Sequence, residues 1–123
     1  VCLSRGLGDV YKRQGLGTDT GCPYITHYDM WRELCYFVKY CGVTPAFALH
    51  SATLGNAALA GIAGETGSIQ PGKCADMIVC AADPLADLTA LRTLDMVIKS
   101  GYRVEHPQVK KMDNVERELD KFL

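Results

Sequence analysis

Gly67-Ser-Ile-Gln-Pro-Gly-Lys-Cys-Ala-Asp-Met-Ile-Val79 is where this 123-residue chain changes structural period. Before it, apolar residues recur at helical spacing. After it, they alternate. Within the stretch, Gln70-Pro-Gly-Lys73 has the chemistry of a type II turn, because proline presets the second position and glycine permits a positive φ at the third. Ala75 to Cys80 then reads as a strand, and Asp83-Pro84 opens a short helical turn. Met96 to Lys99 and Tyr102 to Val104 read as a hairpin joined by Ser100-Gly101. The same stretch nearly fits the phosphate-binding pattern G-x-x-x-x-G-K-[ST]. A phosphate loop passes into a helix and offers backbone N–H groups, however, whereas Pro71 removes one, Cys74 replaces the hydroxyl and a strand follows. The reading is a hairpin turn with an exposed Lys73.

Upstream, Gly15-Leu-Gly-Thr-Asp19 reads as the end of a strand, followed by a loop containing Gly21 and Pro23. A helix comes next. Thr26 is placed to cap it, with Asp29 in its first turn. Met30, Leu34, Phe37, Val38 and Cys41 form one apolar stripe, and Gly42 supplies the left-handed stop. Strand end, loop and amphipathic helix make one βα unit of a parallel α/β fold. Thr44-Pro45 starts another helix with a hydroxyl cap and a proline at the first helical position. The alanine-rich segment Ala46 to Ala60, interrupted by Gly55-Asn56, reads as two short buried helices. Val115, Leu119 and Phe122 mark a terminal amphipathic helix, and the charges from Lys110 to Lys121 read as its solvated face. Trp31, Phe37 and the tyrosines at helical spacing read as packing residues.

The first fourteen residues follow neither period. The eleven residues Ser4 to Gln14 back-translate in one frame to a string resembling a transposon-type sequencing adapter. Residues 1–14 are therefore read as a non-native leader and kept out of the fold argument. Setting them aside removes Arg5, Lys12, Arg13 and Asp9, which moves the net charge from −1 to −3. A mildly acidic chain with no basic cluster gives no electrostatic reason to expect nucleic acid or an anionic membrane as partner. No apolar run reaches the roughly eighteen residues of a membrane span. The five cysteines outside the leader are irregularly spaced and include no C-x-x-C pair, so they read as reduced thiols of a cytoplasmic protein rather than a disulfide framework or zinc knuckle.

Asp19 is the leading candidate for chemistry, since it follows an expected parallel strand at the end where α/β barrels place their reacting groups. His27 lies eight residues on in the same loop and is a candidate for substrate contact. Cys22 shares that loop but has no base or cation near it in sequence, which argues against a nucleophile. His50 reads as a hydrogen-bonded packing residue in the alanine-rich helix. His106, before Pro107, reads as solvated.

From residue 15 to about residue 104 the chain resembles the last third of amidohydrolase-superfamily proteins, in the branch of imidazolonepropionases and Xaa-Pro dipeptidases. The resemblance is carried by Gly17-Thr-Asp19, Thr44-Pro45, Ala52-Thr-Leu-Gly-Asn-Ala57, Gly67 to Asp76, and Asp83-Pro-Leu85. It implies the terminal βα part of a TIM-type (β/α)8 barrel over 15–62. Strands of a small composite β-sandwich follow over 63–105, and a tail with a helix over 106–123. It also implies that Asp19 binds a divalent metal, zinc being the expected ion, and shuttles a proton from metal-bound water to the departing nitrogen. The expected reaction is hydrolysis of a carbon–nitrogen bond in a cyclic amide or dipeptide rather than an ordinary peptide.

The chain departs from that family in one respect. His27, His50 and His106 stand apart, with no His-x-His, and one carboxylate cannot hold a catalytic metal that wants three protein ligands. The chain therefore reads as a fragment, inactive alone. Its partners are a small-molecule substrate and the preceding part of the same chain, with homo-oligomerisation left open. Two other readings stay open. One is a fragment of an aminohydrolase that deaminates a heterocycle, and the other is a stand-alone binding or structural module without metal. The module would have to fold with open sheet edges, which invite aggregation.

Overall fold

The computed structural model describes residues 15–123; the adapter-like leader lies outside the described residues. Helix α1 spans Met30–Cys41, and Gly42 ends it at φ 69°, its N–H returning to Val38 O. That stop follows the sequence. The start does not: Asp29 precedes the first turn, and the Thr26 hydroxyl donates instead to Asp29 Oδ2 at 2.6 Å. Thr26 is thus spent on a side chain rather than on a helical N–H. α2 (Pro45–His50) begins as read, with Thr44 Oγ1 accepting from Phe47 N.

Beyond His50 the structure departs from two separate helices. Ser51–Gly55 forms a π-helical turn that runs straight into α3 (Asn56–Leu59), and Gly55 has ordinary helical angles. Glycine costs a helix about 1 kcal/mol but does not forbid it. Nor is the segment buried as expected, since within these helices only Ala48 and Ala57 are.

The second half is a three-stranded antiparallel sheet in the order β1-β2-β3, built from Met77–Cys80, Leu94–Lys99 and Tyr102–Glu105. Ile78 faces Val97 and Val97 faces Val104, and the register shifts once, between Val79 and Cys80. Ser100 at φ 50° and Gly101 at φ 83° turn β2 into β3 in the doubly left-handed geometry that suits the twist of a two-residue hairpin. The type II turn also forms, with Gly72 at φ 88° and Lys73 N donating to Gln70 O. Lys73 itself is not a free exposed lysine. It folds back, half-buried, and its ammonium donates to Ala63 O and to Ser68 Oγ.

Between the first two strands, a 3-10 helix (Leu88–Arg92) places Leu88 and Leu91 against Trp31, Leu34 and Phe37 of α1 and Ala48 of α2. That cluster is the core. By contrast, no residue of the three strands is buried. Ile78, Val79, Tyr102 and Val104 are all exposed, so apolar groups on both sheet faces meet solvent.

α4 (Asp113–Asp120) is not the solvated appendage that its charge suggested. Glu116 is buried, and its Oε2 lies 2.8 Å from Arg32 Nη2. Asp120 Oδ1 takes Arg32 Nη1 at 2.7 Å, and Arg92 bridges the same two carboxylates. Arg32 Nε faces Asp29 Oδ2 at 3.3 Å without hydrogen-bond alignment, while the guanidinium lies 4.5 Å from the Trp31 ring. Burial pushes the Arg32 guanidinium down, but Asp120, Glu116 and Asp29 together outweigh it and hold its pKa above the ordinary value.

Candidate functional site

Residues 15–19 form no ladder strand; the lateral partner of this segment is a side chain. Leu16 N donates to Asn56 Oδ1 at 2.8 Å, and Asn56 Nδ2 donates to Leu16 O at 2.7 Å. Three residues on, Asp19 adopts φ 54° and opens a tight turn in which Cys22 N returns to Asp19 O. Gly21, at φ 113°, takes the part of that turn least open to a side chain.

The Asp19 side chain is exposed, and Cys22 Sγ donates to its Oδ2 at 3.3 Å. This hydrogen bond, reinforced by the carboxylate's charge, pushes the Cys22 thiol above its ordinary pKa. A thiol held protonated is a poorer nucleophile. The structure therefore brings a carboxylate beside Cys22, which the sequence did not suggest, and the effect is to quieten it.

His27 is exposed and lines an open, mainly apolar hollow of about 370 Å³ with Cys22, Tyr24, Tyr28 and, from the C-terminal segment, Met112 and Val115. Asp19 is outside that lining. The loop's far end is fixed from behind. Asp29 accepts from the Thr26 hydroxyl and from the Trp31 indole N–H at 3.1 Å, and Tyr28 Oη accepts from Met112 N. A larger hollow of about 520 Å³ between α1 and α4 contains none of the candidate residues.

The other histidines separate cleanly. His50 is exposed rather than packed, because α2 turns it away from the Ala48 face. His106 is exposed, as read, at φ 44°. Among the described residues, no group of three or more His, Cys, Asp or Glu side chains is placed to hold a metal ion. No helix among them is long and apolar enough to cross a membrane, and the five described cysteines are unbridged.

Residues 4–104 match the pattern of the Amidohydrolase family. This chain belongs to the amidohydrolase family. Among solved structures, this amidohydrolase chain is similar to a protein from Bifidobacterium longum designated a prolidase. The two share 45% identity at a TM-score of 0.84, over 87% of this chain and 26% of that one. It is also similar to a Xaa-Pro dipeptidase crystallised with methionine in its active site. There the identity is 38% and the TM-score 0.59, over 62% of this chain and 18% of that one. A prolidase complexed with N-methylphosphonate-L-proline, 24% identical at a TM-score of 0.58 over 68% of this chain and 21% of that one, shares the fold. No curated protein matches the chain at comparable significance. The amidohydrolase sequence thus spans about a quarter or less of the length of these structures.

Two features of the family motifs went unread in the sequence. Asn56, inside Ala52 to Ala57, is the residue that holds Leu16. Asp76, at the end of the glycine-rich stretch, accepts from Ser100 N at 2.8 Å, Lys99 Nζ at 2.9 Å and Thr66 Oγ1 at 3.2 Å, and so ties the hairpin turn to β1. A run of polar residues near turns was the available signal, but nothing local names their partners.

Proposed function

We propose that this chain is the C-terminal part of a hydrolase that cleaves carbon–nitrogen bonds in Xaa-Pro-type dipeptides, with Asp19 as its retained catalytic carboxylate. The supporting observation is the 45% identity at a TM-score of 0.84 to the Bifidobacterium protein designated a prolidase. In this reading residues 15–62 end a (β/α)8 barrel, 63–105 contribute strands to a composite β-sandwich, and 106–123 close the tail. The uncovered sheet faces support that arrangement, because strands with apolar residues exposed on both sides call for partners elsewhere in the same polypeptide.

The described residues do not by themselves fit a catalytic metal. Asp19 offers one carboxylate, its neighbour within reach is a protonated thiol, and three protein ligands are the usual minimum. A divalent ion, zinc by expectation, would take its remaining ligands from a preceding part of the chain. Asp19 would hold and return the proton that moves between the attacking water and the departing nitrogen, and general acid–base work of this kind contributes about 10²–10⁴-fold. His27, in the same loop, would contact the substrate. The 123 residues alone should not turn over dipeptides.

A chimera tests this reading. Residues 15–123 replace the matching C-terminal part of the Bifidobacterium protein, and Xaa-Pro hydrolysis is measured with zinc supplied. The chimera should be active, and Asp19→Asn should lower kcat by about 10²-fold or more with the fold intact. A folded, active chimera indifferent to Asp19→Asn would sink the proposal.

A further inference from the structure

Asn56 makes both backbone hydrogen bonds that a neighbouring strand residue would make to Leu16, one to its N–H and one to its carbonyl. In an antiparallel ladder a hydrogen-bonded pair exchanges the same two bonds. We propose that Asn56 is a positioning residue that takes the place of a strand neighbour for Leu16, and so sets the course of the backbone that carries Asp19 three residues later. The inference rests on the reading of Asp19 as the catalytic carboxylate, and it gives Asn56 a role in that site.

Four further features converge on this contact. Glycine at 15 leaves room for the contact as it stands, because a Cβ there would lie 2.5 Å from Asn56 Oδ1 and 2.8 Å from Leu59 Cδ2 and would displace one or both side chains. The π-helical turn Ser51–Gly55 rotates α3 about its axis: Asn56 N–H reaches back five residues to Ser51 O, and one extra residue turns the helix by about 100°. Without that rotation the Asn56 amide would leave Leu16. Gly67 then backs the same turn, since any Cβ on it would meet Ala57 Cβ at 2.6 Å and Leu54 Cα at 3.1 Å. Leu16 in turn packs against the core cluster, so its backbone is held by the Asn56 amide and its side chain by apolar contact.

The experiment is NMR on the 15N-labelled 123-residue chain and its Asn56→Ala variant, with neither metal nor substrate present. In the wild type, the Leu16 amide and one Asn56 side-chain amide proton should exchange more slowly than the amides of exposed loop residues. In Asn56→Ala, Leu16 exchange should accelerate about fivefold or more, the factor expected for one lost hydrogen bond. The 15N heteronuclear NOE should fall across Gly17 to Asp19, while Met96 to Ile98 in β2 keep their exchange rates within about twofold of wild type, as expected for local rather than global opening. Unchanged Leu16 exchange would overturn the proposal, and so would an equal acceleration in β2, which marks a merely structural role. Should Asn56→Ala fail to fold, the wild type still decides, because unprotected Leu16 and Asn56 protons refute the pairing. None of these readouts involves turnover, so a failure of the Asn56–Leu16 pairing and a failure of the Asp19 reading are told apart.

Discussion

Arg32→Met removes the cation at the centre of the α1–α4 junction and keeps much of its apolar stem. The Arg32 side chain is 3% exposed, Glu116 7% and Asp29 6%, so the substitution leaves two buried carboxylates without their main counterion. Breaking such a pair from one side costs about 3–5 kcal/mol. The lower end applies here. Arg92 Nη2 remains 3.3 Å from Glu116 and 3.1 Å from Asp120, and Asp29 keeps its bonds from Thr26 and Trp31. A loss of about 3 kcal/mol should lower Tm by roughly 10–15 °C for a chain of this length. Circular dichroism at 222 nm and the fluorescence of Trp31, the one tryptophan, should report the same transition.

The effect should also depend on pH. Burial raises the Asp120 carboxyl, but Arg32 and Arg92 outweigh it and hold it below its ordinary pKa. A depressed carboxyl contributes stability that is present above its unfolded value, about 4, and is lost as pH falls through the folded value. The gap between wild type and Arg32→Met should therefore narrow below about pH 4. A variant that melts within 2 °C of wild type at neutral pH, with α4 still ordered, would refute the reasoning. In that event the guanidinium would be compensated so poorly that methionine replaces it without loss.

Gly67→Ala should destabilise by about 2–4 kcal/mol, combining a strained positive φ with overpacking against Ala57 and Leu54; chemical denaturation measures it, and a neutral outcome would show that α3 can shift away. Asp76→Ala should release the hairpin turn. Amide exchange at Ser100 is expected to rise about fivefold or more while the α1 amides stay protected, and an unaltered Ser100 rate would mean that the turn holds without the carboxylate.

What the sequence displayed was the chemistry that acts over a few residues. Gly42 stops α1, Thr44-Pro45 starts α2, and Pro71-Gly72 and Ser100-Gly101 turn the chain, each through a φ preference or a cap that one or two residues determine. The α1 stripe was readable for the same reason, although Trp31 outranks several of its members in burial. Asn56, Asp76 and Arg32 were not readable, because what they do depends on partners 40, 24 and 84 residues away. Glu116 shows the limit most plainly: in a charged helix it looks solvated, and the arrival of Arg32 and Arg92 makes its burial tolerable. Asp19 was singled out through pattern, while its left-handed φ and its thiol neighbour depended on a turn that spacing alone does not specify.

The pairing of Arg32 with Glu116 also has a consequence for how the protein is made. The two residues are 84 positions apart. At ribosomal speeds of about 5–20 residues per second, α1 waits roughly 4–17 s for the helix that neutralises it. During that interval a cation and an indole are presented to whatever else is near, before their intended cover has been synthesised. Vectorial synthesis thus leaves the Arg32 cluster open until α4 has been made, and only then do Glu116 and Asp120 reach the guanidinium.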